Sequence, residues 1–244
     1  MILVFRKRFI WCAGLLGCFF AVFAAVLWLG QRQSRVPAFA ALEEGPMAIV
    51  VLDPGHGGED GGAVSPDGVE ESRINLAVAL RVNDLLRFAG RPTVMTREED
   101  VSISTGGDTV RARKASDIRR RVEIVNETEN AVLLSIHQNS LPSSVVTHGA
   151  QVFWNGEEGA EALARVVQDS LNGAINVNNE KQPKRIPDTI YLMRHITAPG
   201  ILVECGFLSN PEETVRLQDP SYQTKLAAAI TAGYLRRPAG EEAE

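Results

Sequence analysis

The sequence has little cysteine and little histidine, with three cysteines and four histidines among 244 residues. Cys12 and Cys18 lie inside an apolar N-terminal run, so only Cys205 belongs to the rest of the chain. A single cysteine forms no disulfide within a domain, and packing therefore has to stabilise this one. A composition of 45% hydrophobic and 23% charged residues suffices for one good-sized core.

The first forty residues lack acidic side chains, and residues 9 to 30 lack charge of either sign. A helix of that length spans about 33 Å, enough for the roughly 30 Å core of a bilayer. The pattern predicts a transmembrane helix over residues 9 to 30. Arg6-Lys7-Arg8 precedes this run. The positive-inside rule therefore predicts that the basic tip, residues 1 to 8, stays in the cytoplasm and that the chain after the helix is exported.

A cleaved signal sequence is the alternative interpretation of residues 9 to 30, with Ala38-Phe39-Ala40 as its small-x-small cleavage site. The apolar part of a signal peptide is normally about 7 to 15 residues long, which favours an uncleaved anchor for this longer run. Residues 31 to 46 then form a linker, residues 47 to 237 a single globular domain, and residues 238 to 244 an acidic tail.

The exported part of the chain lacks an excess of positive charge. Without the five basic residues of the leader, 20 Lys and Arg remain against 30 acids, a balance of about ten negative charges. Nucleic acid is therefore excluded as a partner.

Short apolar runs rich in β-branched residues predict about six strands, at 48–52, 92–96, 131–136, 149–154, 189–193 and 201–203. Helical spacing of Leu, Ile, Val and Ala predicts helices at 73–88, 118–126, 159–171 and 222–235. This alternation predicts a single three-layer α/β domain, with a mostly parallel twisted sheet flanked by helices, after the N-terminal transmembrane helix. A long polar insert, residues 98–116, follows the second strand.

Two of the four histidines, His56 and His137, fall at the carboxyl ends of predicted strands and therefore at the same edge of the sheet. Glycines surround His56, and they let an imidazole and a ligand approach the end of the strand closely. Two histidines in such settings indicate a metal pair. His148 and His195 have no comparable setting and are interpreted as structural.

Catalytic zinc typically takes three protein ligands and leaves a fourth position for water, so two histidines need a carboxylate. Spacing alone leaves the choice open among Asp53, Glu59, Asp60, Glu70, Glu71 and Glu204. Glu204 ends the apolar run 201–203, where partial burial raises a carboxyl pKa and suits it to proton transfer. Capping of the next turn or pairing with an arginine is the alternative for Glu204. Together these residues indicate metal-assisted hydrolysis.

Four ordered motifs carry a resemblance to a known family. They are Asp53-Pro-Gly-His-Gly-Gly58, Glu71 ahead of Ile74-Asn75-Leu76, Ser135-Ile-His-Gln-Asn139 and Val203-Glu-Cys-Gly-Phe-Leu-Ser-Asn210. From about Ile49 to Leu235 the chain resembles the zinc-dependent N-acetylmuramoyl-L-alanine amidases of the Amidase_3 type. These enzymes hydrolyse the amide bond between N-acetylmuramic acid and L-alanine in peptidoglycan.

The resemblance implies that His56, Glu71 and His137 bind Zn²⁺, that Glu204 is the catalytic carboxylate, and that no other cofactor is needed. Glu70 is the fallback ligand because it adjoins Glu71. Gln138 departs from the small residue that many members carry there, and it is expected to narrow the cleft.

The segments 114–121 and 187–193 look most like the germination-specific branch of this family, which implies a role in spore-cortex maturation through muramic-δ-lactam formation. The resemblance also leaves open an activating protein partner, and it implies a membrane-anchored or secreted enzyme of the bacterial cell envelope.

A basic cluster is interpreted either as a site for stem-peptide carboxylates or as a solvated helix face; its members are Arg111, Arg113, Lys114, Arg119, Arg120 and Arg121. A zinc peptidase acting within the stem peptide is the alternative activity, because the same ligands would serve it.

Overall fold

A computed structural model of the chain describes residues 47–237. The predicted basic tip, transmembrane helix or signal sequence, linker and acidic tail all lie outside these residues and stay predictions. Within residues 47–237, no helix is both long enough and apolar enough to cross a membrane.

The described residues form six strands and six helices. In chain order they are β1 (Ile49–Pro54), α1 (Glu71–Phe88), β2 (Thr93–Met95), α2 (Val110–Glu127), β3 (Ala131–Asn139), β4 (Gln151–Trp154), α3 (Ala160–Ala174), β5 (Lys184–Arg185), α4 (Tyr191–His195), β6 (Gly200–Phe207), α5 (Pro211–Gln218) and α6 (Pro220–Leu235).

The strands form one sheet in the order β2-β1-β3-β6-β4-β5. The pairs β1 with β2, β1 with β3, and β3 with β6 are parallel, whereas β4 runs antiparallel to β6. The predicted single α/β domain with a mostly parallel six-stranded sheet is confirmed. Its three central strands, β1, β3 and β6, end at the same edge.

Each face of the sheet carries its own buried cluster. Leu52, Leu134 and Ile136 pack on the face covered by α1, α3 and α6. Val51 and Leu133 point to the other face, against α2 and α4. Alternate side chains of each central strand thus pack on opposite faces of the sheet, as in other buried parallel strands. Each such side chain contributes about 1.5–3 kcal/mol through burial.

The strand predicted at 189–193 is wrong. That segment leads into the short helix α4, which buries Leu192 and Met193 in the second cluster. A short apolar run has the same signature whether it is a strand or one buried face of a helical turn.

Helix α2 begins at Val110, earlier than the predicted residue 118, because the Thr109 side chain accepts a hydrogen bond from the Ala112 amide and caps it. The polar insert is correspondingly shorter. The strand β5 and the helix α5 were not predicted from the sequence.

Candidate metal centre

The carboxyl ends of β1, β3 and β6 bring three predicted site residues to one edge of the sheet. His56 lies two residues after the end of β1, His137 lies near the end of β3, and Glu204 lies in β6. His137 and Glu204 are register partners on the two neighbouring parallel strands. Their side chains therefore leave the same face of the sheet at the same level.

Two glycines give His137 and His56 their positions. A Cβ atom on Gly55 would lie 2.1 Å from Cε1 of His137, so the imidazole ring lies across the end of β1 where only glycine fits. His56 itself has a positive φ of 62°, and a Cβ on the following Gly57 would lie 2.4 Å from the carbonyl oxygen of Val101. The chain reverses here, with the Gly57 amide donating to the Asp60 carbonyl oxygen at 2.8 Å.

Glu71, the first residue of α1, lies between the two histidines. Its Oε1 is 2.9 Å from His137 Nδ1, and its Oε2 is 3.3 Å from His56 Nε2. Its carboxylate also accepts hydrogen bonds from the Ala63 amide, the Gln138 amide and Asn75 Nδ2. Burial raises the pKa of Glu71, but hydrogen bonds and charge from His137 and His56 outweigh it, so the pKa lies below its usual range.

His56, Glu71 and His137 each offer a ligand atom, and these atoms all lie within 4.8 Å of one another. Two imidazole nitrogens and one carboxylate oxygen converging in this way match the donor set of a catalytic zinc site that keeps one position open. The donors thus fit the metal that the family resemblance implies.

Asp60 supports the first of these histidines from outside the cluster. His56 Nδ1 donates to Asp60 Oδ2 at 2.9 Å, which leaves Nε2 directed at Glu71. Burial lowers the pKa of His56, but its hydrogen bonds to Asp60 and Glu71 outweigh this effect and raise it to about 9.

The other carboxylates proposed as ligands are engaged elsewhere. Asp53 accepts from Ser135, Thr96 and Arg121 in the interior. Glu59 pairs with Arg113 at 2.6 Å, and Glu70, the fallback ligand, pairs with Arg73 at 3.0 Å. Of the two adjacent glutamates, the structure brings only Glu71 to the histidines.

Glu204 lies beside this cluster with a different environment. Its Oε2 is buried and has no hydrogen-bond partner among residues 47–237. Burial raises the pKa of Glu204 to about 7, with the nearby Glu71 adding to the effect and His137 opposing it. Neither a turn cap nor an arginine pair occupies Glu204 within the described residues.

Cys205, next to Glu204, points into the core on the opposite face, where it is fully buried and free. Burial raises the pKa of its thiol well above the ordinary value, so the thiolate is disfavoured. Cys205 is consequently a packing residue.

The structure corrects two expectations about polar residues. Gln138 does not narrow the cleft, because its side chain is buried and donates to Asn75 Oδ1 at 3.1 Å. Arg121, placed in the basic cluster by its sequence neighbours, is 2% exposed and pairs with Asp53 and Asp117.

Two further members of the basic cluster pair with acidic residues next to the site, and the other two histidines lie outside it. Arg113 pairs with Glu59, and Lys114 pairs with Asp60 at 2.7 Å. His195 is exposed and stacks on Tyr191, and His148 is exposed in the loop after β3. The structural interpretation of both histidines agrees with these positions.

Comparison with known proteins identifies the family. The sequence model of the N-acetylmuramoyl-L-alanine amidase family, Amidase_3, matches residues 50–236. The chain belongs to this family. It is 40% identical over 233 residues to the germination-specific N-acetylmuramoyl-L-alanine amidase of Bacillus subtilis, covering 95% of each chain.

Solved structures of the family share the fold. The CwlD amidase of Clostridioides difficile, solved in complex with the GerS lipoprotein, superposes with a TM-score of 0.73 at 34% identity, covering 76% of this chain and 95% of that one. An N-acetylmuramoyl-L-alanine amidase of Nostoc punctiforme superposes with a TM-score of 0.64 at 31% identity, covering 78% and 96%.

Proposed function

We propose that this amidase-family chain is a zinc-dependent enzyme that hydrolyses the amide bond between N-acetylmuramic acid and L-alanine in peptidoglycan. The observation that carries the proposal is the convergence of His56, Glu71 and His137 beside Glu204. The first three are the zinc ligands and Glu204 is the catalytic carboxylate. Family membership supplies the substrate class.

Held by His56, Glu71 and His137, zinc would polarise the scissile carbonyl as a Lewis acid and would acidify the attacking water. Glu204 takes the proton of the attacking water at its unpartnered Oε2 and then passes it to the departing alanine nitrogen, so that an amine leaves. Burial raises the pKa of Glu204 above its ordinary value, which favours the uptake of the proton that is then returned to the leaving nitrogen.

Asp60 and Glu71 orient the histidine side chains as ligands. The hydrogen bond from His56 Nδ1 to Asp60 fixes the tautomer that presents Nε2 as a ligand. Glu71 is held rigidly by the Ala63 and Gln138 amides. The residues of the site are thus oriented before any metal binds.

We further propose a role in spore-cortex maturation, supported by the 95% mutual coverage with the germination-specific B. subtilis enzyme. An enzyme acting on peptidoglycan works outside the cytoplasm, and the apolar run at residues 9 to 30 provides the export signal or membrane anchor.

The CwlD of C. difficile was solved with a lipoprotein partner. An activating protein partner is accordingly proposed for this chain too.

Digestion of purified peptidoglycan tests the activity. The zinc-loaded chain, alone and with any required partner, is expected to release stem peptides with a new free L-alanine amino terminus and to leave the glycan strands intact. The Glu204→Gln variant serves as the control for contaminating hydrolases. New reducing sugar ends would indicate a glycosidase, and an amino terminus other than L-alanine would indicate a peptidase; either product without free L-alanine termini contradicts the proposal.

A further inference from the structure

Arg97 lies beneath the His56 loop, residues 55–62, and is only 3% exposed. Its guanidinium donates hydrogen bonds to four main-chain carbonyl oxygens, those of Pro54 (3.0 Å), Gly55 (3.0 Å), Ser72 (2.9 Å) and Glu99 (2.9 Å). Within the described residues, none of these hydrogen bonds reaches a carboxylate. Arg97 is thus a buried cation held by peptide dipoles.

Such a placement is costly for a residue that only fills space. Burying a charge without a directly bonded counter-charge carries a desolvation penalty, and a hydrophobic side chain of similar volume avoids it. Burial, aided by the neighbouring Arg121, lowers the pKa of Arg97 to about 10, although the charges of Asp100, Asp53 and Asp117 oppose this effect. The guanidinium remains charged near neutral pH and retains its full set of donors.

Three of the four bonded carbonyls belong to two segments that each carry a member of the metal cluster, and the fourth, that of Glu99, belongs to the loop of Arg97 itself. Pro54 and Gly55 lead directly into His56, whereas Ser72 follows Glu71 at the start of α1. A single Nη2 atom donates to both Gly55 and Ser72. The two segments are therefore joined through one planar group.

The loop also makes room for this arginine. A Cβ atom on Gly57 would lie 2.9 Å from Arg97 Nε, so any side chain there would displace the guanidinium. Arg121 closes the other side of the same turn by donating to the carbonyl oxygens of Pro54 and His56, at 2.9 and 2.7 Å. The carbonyls of residues 54 to 56 are all bound by buried arginines.

We propose that Arg97 is a positioning residue that fixes the His56 loop relative to Glu71, so that the two present their ligand atoms at metal-binding distance. This inference rests on the metal site of the proposed function. Lysine is not an equivalent, because an ammonium is a compact point charge with three donors, whereas the guanidinium offers five in a rigid fork.

Zinc affinity measured against fold stability tests the proposal. The full chain and its Arg97→Lys, Arg97→Gln and Val167→Ala variants are stripped of metal and titrated with Zn²⁺ against a chromophoric chelator. The Tm of each metal-free protein and the visible spectrum of its Co²⁺-loaded form are recorded. Val167 is the matched control, because it is buried against Gly233 in the packing of α3 on α6, so its truncation weakens the core without touching the His56 loop.

Both Arg97 variants are expected to bind zinc about tenfold or more weakly than the wild type, and their Co²⁺ spectra should change. Val167→Ala should lower the Tm while its zinc affinity and Co²⁺ spectrum stay like those of the wild type. Wild-type zinc affinity in folded Arg97 variants would overturn the inference and leave the proposed function standing. Equal weakening by Val167→Ala, or failure of both Arg97 variants to fold, would also overturn it. A wild-type chain that binds no zinc would contradict both proposals.

Discussion

His137 and Glu204 are register partners on neighbouring parallel strands, yet their side chains have contrasting environments. His137 Nδ1 lies 2.9 Å from the carboxylate of Glu71, whereas Oε2 of Glu204 is buried without a hydrogen-bond partner in the described part of the chain. One strand pair thus supplies both a candidate ligand and a candidate proton carrier. The two roles can be separated by substitution.

Glu204→Gln is expected to keep zinc and fold but to lower kcat by about 10²–10⁴, because an amide of nearly the same shape cannot accept the proton of water. Metal content, circular dichroism and amidase rate measured on one preparation check this. A variant that turns over like the wild type would remove Glu204 from the mechanism.

His56→Ala and His137→Ala are each expected to lose zinc, because the two remaining protein ligands hold the ion poorly. His148→Ala and His195→Ala are matched controls at exposed positions outside the site and should keep full metal content. Elemental analysis of the purified variants decides the matter. Full zinc occupancy in the first pair would show that the ligand assignment is incorrect.

Asp60→Asn is expected to weaken zinc binding by about 10 to 100-fold, since the amide is a poorer acceptor for the His56 Nδ1 hydrogen bond. Glu59→Gln is the matched control, because the Glu59 carboxylate pairs with Arg113 rather than with a histidine. Competition with a chelator gives both dissociation constants. Equal affinities in the two variants would argue against a supporting role for Asp60.

Arg121→Met is expected to cost about 3–5 kcal/mol of unfolding free energy at pH 7, because it leaves Asp53 buried without its cation. Arg120→Met, one position earlier and paired with the exposed Glu123, should cost less than about 1 kcal/mol. Urea unfolding of both variants measures these differences. A small effect at Arg121 would show that the pair with Asp53 contributes little.

The Arg121→Met deficit should shrink as the pH falls. Burial raises the pKa of Asp53, and Arg121 and the Ser135 hydrogen bond outweigh it, so the folded pKa lies below the unfolded value. A depressed carboxyl pKa contributes stability above the unfolded value, near 3.9, that is lost as the pH falls through the folded one. In Arg121→Met the Asp53 carboxylate has lost its cation. Protonation of Asp53 as the pH falls then removes a buried, unpaired charge and reduces the loss of unfolding free energy. Urea unfolding between pH 7 and pH 4 checks this, and a deficit independent of pH would contradict it.

Cys205→Ser is expected to retain turnover, because Cys205 points into the core and away from the metal cluster. The buried hydroxyl should lower stability by about 1–3 kcal/mol, which thermal unfolding measures. Loss of activity in a folded, zinc-loaded variant would instead indicate a thiol mechanism.

The carboxyl-edge placement of His56, His137 and Glu204 was predictable, because parallel strands buried in a doubly covered sheet end at one edge. The choice of Glu71 over Glu70 was not predictable from spacing. The choice depends on the directions in which the two adjacent side chains point at the start of α1. Only the family resemblance favoured Glu71. The structure turns Glu71 inward and pairs Glu70 with Arg73.

Other features depend on tertiary contacts that no local pattern records. Arg121 is hydrophilic in sequence, yet Asp53 and Asp117 make its burial tolerable. The edge strand β5 is two charged residues paired with β4, which carry no strand signal. The missed helix α5 did have a signal, since Asn210 caps it and Pro211 starts it.

One candidate ligand is distant along the chain from the other two, because His137 is separated from Glu71 by 66 positions. Folding has to close that long loop and dock β3 beside β1 before the two side chains meet, so the ion cannot nucleate the structure as it does in a zinc finger. Refolding rates should therefore be insensitive to added zinc. The metal-free chain should therefore persist as a folded species that binds the ion after folding.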